Sequence, residues 1–136
     1  MENQQVVQRY WDAKWNRREP AVIAALVSPG IRLHGPAVSA SNSEEYLQIY
    51  ESLLSALDDT SVTVEDLINE GDKVVSRVVL RGVHSGSLFG LAPTGRRFVF
   101  PIVTIFRIED GKIAEEYQMY DGLDLLNQLG MEMVPA

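Results

Sequence analysis

Hydrophobic positions along this chain keep two different periods. Up to about residue 57 they recur every three or four residues, and from Thr60 onward they alternate with polar ones. Val7, Tyr10, Trp11, Lys14 and Trp15 fall at i, i+3, i+4, i+7 and i+8, which predicts a helix over 4–16 with an aromatic stripe. Pro20 suits the first turn of a short second helix, AVIAALV, because its missing N–H costs nothing there. Ser28-Pro29-Gly30 ends that helix. Residues 31–34 read as a short strand closed by Gly35-Pro36, and AVSASNS, small and polar, reads as a loop. Ser41, Asn42 and Ser43 are good helix N-caps, and Glu44 and Glu45 follow where the helix dipole favours acids. Tyr46, Leu47, Tyr50, Leu53, Leu54 and Leu57 then give a third helix a wide apolar face, which Asp58-Asp59 stops.

Val62 and Val64 open the alternating half. Glu70-Gly71-Asp72 is a hairpin turn, 73–85 a long valine-rich strand, and GSLFGLAPTG (86–95) a loop. A second long strand spans 96–109, Asp110-Gly111 is a two-residue hairpin turn, and 112–120 is the last strand. A closing helix over 122–129 stops at Gly130. Helices grouped ahead of a four-strand meander predict an α+β fold, with the helices packed on one face of the sheet. If that sheet is strongly curved, it leaves a pocket between sheet and helices. The length of 136 residues suits one core, so a single domain over 1–136 is expected.

Composition narrows the chemistry. A net charge of −7 repels phosphate backbones and anionic lipid, so neither nucleic acid nor a membrane surface is an expected partner. The absence of cysteine excludes disulfides, thiolate metal sites and a thiol nucleophile. Two isolated histidines without HEXXH-type spacing argue against a catalytic metal, and no G-x-S-x-G elbow supports a serine hydrolase. MENQQVVQRY does not read as a signal peptide and no apolar run approaches a bilayer span, so the expected location is the cytoplasm.

Three stretches go beyond class. Gly82-Val83-His84-Ser85-Gly86-Ser87-Leu88-Phe89-Gly90-Leu91-Ala92-Pro93-Thr94-Gly95-Arg96 resembles the GTHxGxxxGxxPTGR signature of the SnoaL-like polyketide cyclases, in the nuclear-transport-factor-2-like superfamily. Ile105-Phe106-Arg107-Ile108-Glu109-Asp110-Gly111-Lys112-Ile113 is similar to that family's FRxxDGKI hairpin, and residues 115–130 resemble its EHWxxxDxxGLxxQLG ending. The resemblance implies a cone-shaped, curved antiparallel or mixed sheet wrapped around three N-terminal helices, with a blind apolar pocket and a homodimer formed through the sheet. It implies intramolecular aldol closure of a hydrophobic polyketide-like or terpenoid molecule, with an acid/base Asp and no cofactor. That Asp falls on Asp121. The family His of EHW is replaced by Glu116, its Trp by Tyr117, and the Thr of GTH by Val83.

Aldol closure needs a base for a proton next to a carbonyl and a donor for the receiving oxygen. Asp121 is the expected base, and a helix N-cap is its alternative role, given the Gly-Leu-Asp-Leu-Leu that follows. Strand parity groups Tyr117, Met119 and Asp121 as a pocket wall and turns Glu116 outward, an assignment that a bulge would partly reverse. His84 shares parity with Val78 and Leu80 and is expected to point inward, as a pocket group or a satisfied core histidine. His34, on a short strand near the rim, is a weaker pocket candidate. Tyr10, Trp11 and Trp15 on the first helix are candidates for the substrate wall or plain core, and Tyr46 and Tyr50 on the third share that ambiguity. Thr104, a polar residue in an apolar strand, and Phe89, in the glycine-rich loop, complete the substrate-binding set. A non-catalytic binding or dimerisation module and a ketosteroid-isomerase-like proton shuttle are the alternative functions. The Asp-based mechanism requires that Asp121 be held in a dry hollow; exposure to solvent or capture by the closing helix would remove it.

Overall fold

Alternation in the second half of the chain builds a sheet whose inner face is the core. A computed structural model of the chain describes residues 1–131 and gives six strands in the spatial order β2-β1-β6-β5-β4-β3. These are β1 (Val27–His34), β2 (Ser39–Ala40), β3 (Leu57–Glu70), β4 (Lys73–His84), β5 (Arg97–Glu109) and β6 (Lys112–Met119). The helices are α1 (Asn3–Trp11), α2 (Pro20–Leu26), α3 (Ser43–Ala56) and α4 (Gly122–Gln128). All neighbouring strands run antiparallel except β1 and β6, which run parallel, so the sheet is mixed.

The expected α+β class holds, and the long strands and hairpins lie where the alternation puts them. Three local expectations are corrected. Residues 28–30 do not end a helix but belong to β1, which begins at Val27 beside Ile113 of β6. Ser39–Ala40, read as loop, pairs with Leu33 and His34. The first helix does not run evenly to residue 16. After Trp11 it widens into a π-helical turn, Asp12–Asn16, closed by the Arg17 N–H on the Asp12 carbonyl. A π turn carries one residue more than an α turn. Ala13, Lys14 and Trp15, consecutive in sequence, are all buried there.

Strand β5 alternates buried and exposed over most of its length, with Phe98, Phe100, Ile102, Thr104 and Phe106 turned inward. Val74, Ser76, Val78, Leu80 and His84 do the same on β4. On β6 the register slips. Arg107 pairs with Glu115, but Ile108 pairs with Ile113, leaving Ala114 as the extra residue of a bulge. Ile113 and Ala114 are therefore both buried, and the inward parity passes to Glu116 and Gln118. Among the described residues, no helix is long and apolar enough to cross a membrane.

Candidate functional site

A cavity of about 280 Å³ lies between the end of α1, α3, the inner face of the sheet, the 85–96 loop and α4. Trp11, Trp15, Leu80, Phe98, Phe100 and Leu125 are among its lining residues, and Lys14 from the π turn and Gln118 from β6 bring polar groups to it. A second hollow, of about 30 Å³, shares Lys14 and Gln118 with the first and adds Tyr46 to its wall. That volume suits a water molecule or one small polar substituent.

Lys14 opens a buried chain of polar groups. Its Nζ donates to the Tyr10 hydroxyl at 2.7 Å and to the Tyr46 hydroxyl at 3.1 Å. The two hydroxyls are hydrogen-bonded to each other. Tyr10 then donates to the Glu116 carboxylate, at 3.1 Å to one oxygen and 3.3 Å to the other. Four aromatic rings surround the ammonium, those of Tyr10, Trp11, Tyr46 and Tyr50, at 5.0–5.8 Å from their centroids. Such rings attract a cation. Tyr50 also fixes the backbone here, its hydroxyl donating to the Lys14 carbonyl at 2.6 Å. All these side chains come from rigid elements, α1 with its π turn, α3 and β6.

Burial sets the electrostatics. It pushes the Glu116 carboxyl up, against the Lys14 charge that pulls it down. It pulls the Lys14 ammonium down, against the Glu116 charge that holds it up. Tyr10 and Tyr46 are pushed well above the ordinary phenol value, first by burial and then by the Glu116 charge, so both remain proton donors. The cluster therefore holds a lysine and a carboxylic acid with displaced proton affinities, joined by two phenols.

The sequence-predicted residues divide between the two faces of the sheet. Tyr10, Trp11, Trp15 and Tyr50 are buried on the cavity side, Trp11 with its indole N–H on Ser76 Oγ at 3.1 Å. Thr104 is fully buried, and its hydroxyl has no partner among the described residues. His84 is fully buried too; its Nδ1 faces the Thr94 hydroxyl at 3.0 Å, which ties the end of β4 to the glycine-rich loop, and its Nε2 has no partner among the described residues. Gly86 in that loop lies so close to the end of α3 that a Cβ there would meet the Ser55 carbonyl oxygen at 2.1 Å. Phe89 is 58% exposed on the cavity rim.

The pocket wall expected from strand parity is corrected. Because of the bulge at Ala114, Tyr117 and Met119 lie on the outer face, 48% and 68% exposed. His34 lies there as well, stacked on Tyr117 at 4.3 Å and bonded to Glu115 at 2.8 Å. Asp121 is exposed, and its carboxylate accepts from the Asp124 N–H at 3.0 Å as the N-cap of α4. The condition set for an enclosed Asp base is not met. Glu116, expected to face out, is the carboxylate that is fully buried.

Two members of the cluster were within reach of the sequence. Lys14 occupies a position of the first apolar stripe, where a charged residue is out of place unless partnered. Glu116 stands in the place of the family histidine. Among the described residues, no group of three or more His, Asp or Glu is placed to hold a metal ion.

The family described as SnoaL-like polyketide cyclase matches residues 5–129. Over 60 residues the chain is 43% identical to nogalonic acid methyl ester cyclase of Streptomyces nogalater, a stretch that makes up 44% of this chain and 45% of that relative. The chain thus aligns with under half the length of this relative. Among solved structures, TsrD of Streptomyces laurentii is 34% identical over 93% of both chains, with a TM-score of 0.83. An NTF2-like protein of Burkholderia thailandensis E264 superposes with a TM-score of 0.79 over 96% of this chain and 100% of its own. At 21% identity, that likeness is one of fold.

Proposed function

From the premise that this chain belongs to the SnoaL-like polyketide cyclase family, we propose that it closes a ring in a hydrophobic polyketide-like molecule by intramolecular aldol addition. The cavity holds the substrate, and its Lys14 end does the chemistry. One observation supports this reading above others: Lys14, on the wall of a cavity otherwise lined mainly by aliphatic and aromatic side chains, is joined by a continuous run of hydrogen bonds to two buried phenols and a buried carboxyl behind it.

Aromatic and aliphatic walls hold the carbon skeleton, and Lys14 with Gln118 receives the carbonyl whose neighbouring carbon gives up a proton. An N–H donor at that oxygen stabilises the enolate as its charge develops, in a site where little water screens it. The ammonium has three N–H groups; Tyr10 and Tyr46 take two, and the third is available to the ligand. The proton passes to Tyr46 as Tyr46 passes its own to Tyr10, and Tyr10 to Glu116. Burial raises the Glu116 carboxyl and so makes it a better acceptor than an exposed carboxylate. Reversing the relay protonates the oxygen formed when the carbon–carbon bond closes. Proton transfers and hydrogen bonds are all that the addition requires. Asp121 holds the start of α4, whose Leu125 lies on the cavity wall.

The test is to incubate the chain with nogalonic acid methyl ester and separate the products by chromatography with mass detection. Aldol addition forms one bond and moves one hydrogen, so the expected product is an isomer of unchanged mass. Glu116→Gln is expected to slow its appearance by about 10²–10⁴-fold, the range for loss of an acid/base group. An ester that neither binds nor cyclises any faster than in buffer would defeat the proposal.

A further inference from the structure

Proton transfer leaves one property of the site unused. Lys14 is a primary amine enclosed beside a cavity, within reach of any carbonyl that the cavity holds. We propose that Lys14 captures a ketone of its ligand covalently, as a Schiff base, so that the ring closes through an enamine. The inference rests on the cavity being a carbonyl-compound site, as argued above, and adds the covalent step.

Geometry supplies the parts. Nζ lies 2.7 Å and 3.1 Å from two phenols that can give and take protons, and a carboxylic acid stands behind them. The charged and titratable groups facing it are Glu116 from β6, Tyr10 from α1, and Tyr46 and Tyr50 from α3. Glu116 and the aromatic faces favour the ammonium; burial favours the free amine and outweighs them, leaving Lys14 below the ordinary lysine value. Desolvation in an apolar site is one of the known ways to make a lysine nucleophilic. The π turn is fixed at this residue, since Tyr50 of α3 pins the Lys14 carbonyl.

The sequence of bonds balances without an outside oxidant or reductant. The Nζ lone pair adds to the ketone carbon; the oxygen takes a proton from Tyr46 and the nitrogen returns one of its own to that phenolate, giving a neutral carbinolamine. Loss of that oxygen as water, with a second proton drawn through Tyr10 from Glu116, leaves the protonated imine. The Glu116 carboxylate, through Tyr10 and Tyr46, takes a proton from the adjacent carbon to give the enamine; this attacks the second carbonyl, and the same relay returns the proton to the new alkoxide as the ring bond forms and the protonated imine is restored. Water then adds to the protonated imine, one proton returns to Glu116, and both the product and the free amine are released. The hollow of about 30 Å³ beside Lys14 and Tyr46 is large enough for the water released and consumed.

The chain contains its own controls. It has three lysines, and Lys73 and Lys112 are exposed while Lys14 is buried. The probe is 2,4-pentanedione, which condenses with a free amine to an enaminone that absorbs in the near ultraviolet. The folded wild-type chain is treated near neutral pH, digested, and its modified lysines located by mass spectrometry. Each unit by which an amine's pKa falls gives about ten times more free amine at a fixed pH below it. The lowered Lys14 is therefore expected to be labelled before Lys73 and Lys112, and Lys14→Arg to lose the fast phase while keeping the slow one. Reaction of Lys14 no faster than that of the two exposed lysines would overturn the proposal. Cyclisation of nogalonic acid methyl ester without preferential labelling would leave the cyclase reading in place and remove the covalent step. Preferential labelling without cyclisation would do the opposite.

Discussion

The burial that suits Glu116 to the proposed proton relay also makes it a determinant of stability. A carboxyl without water ionises reluctantly, and this one is held above its ordinary value of 4.5 chiefly by burial. The folded chain therefore binds that proton more tightly than the unfolded chain does. By linkage, its contribution is fully present below the unfolded value and is lost as pH rises through the raised folded one. The lowered Lys14 acts in the opposite sense, since its contribution is fully present only above the ordinary lysine value and is lost as pH falls through the lowered folded one. Urea unfolding midpoints of the wild type are expected to fall as pH is raised from about 4.5 toward neutrality. Glu116→Gln, which keeps the shape and removes the titration, is expected to flatten that fall. Equal slopes in the two proteins would show that Glu116 does not titrate across this range.

At the scale of elements, α4 depends on Asp121, whose carboxylate is the side-chain acceptor at its first turn. Asparagine caps as well as aspartate, whereas alanine does not. Asp121→Asn is thus expected to keep both stability and cyclisation, and Asp121→Ala to cost about 0.5–2 kcal/mol, measured by chemical denaturation. A large loss of turnover in a stable Asp121→Asn chain would instead return Asp121 to the mechanism. The same element shows what local pattern reveals. A cap, an aromatic stripe and a hairpin turn are set by residues a few positions apart, so α1, α3, α4 and the β5–β6 hairpin could be read directly. The bulge at Ala114 could not, because it is a mismatch of register between two strands. That one extra residue moved Glu116 from the solvent side to the core and moved Tyr117 and Met119 the other way. The strand span 27–30 was hidden for a related reason: Val27 pairs with Ile113, far along the chain, and nothing local announces it. Lys14 was legible as an anomaly in an apolar stripe, but its partners on α3 and β6 come together only in the fold.

For the whole molecule, the outer face of the sheet remains to be accounted for. Val103 pairs with Met119 and Ile105 with Tyr117, so these four outward side chains form one continuous patch, joined by exposed Val99 along β5. Contiguous apolar surface of this kind marks a contact site more often than scattered exposed residues do. A second copy of the chain is the expected occupant, in line with the homodimer that the family resemblance implies. Two such copies each carry −7, so their long-range repulsion opposes association while burial of the patch favours it. Salt screens the repulsion, with a Debye length of about 8 Å at 0.15 M, and leaves the apolar contact intact. Sedimentation is therefore expected to find a dimer that tightens as salt is raised, opposite to an interface held by charge pairs. Ile105→Glu with Met119→Glu, at the centre of the patch and on the far side of the sheet from the cavity, is expected to give a monomer that still binds the ester. A wild-type chain that sediments as a monomer at every salt concentration, or a double variant that stays dimeric, would take the partner off this face.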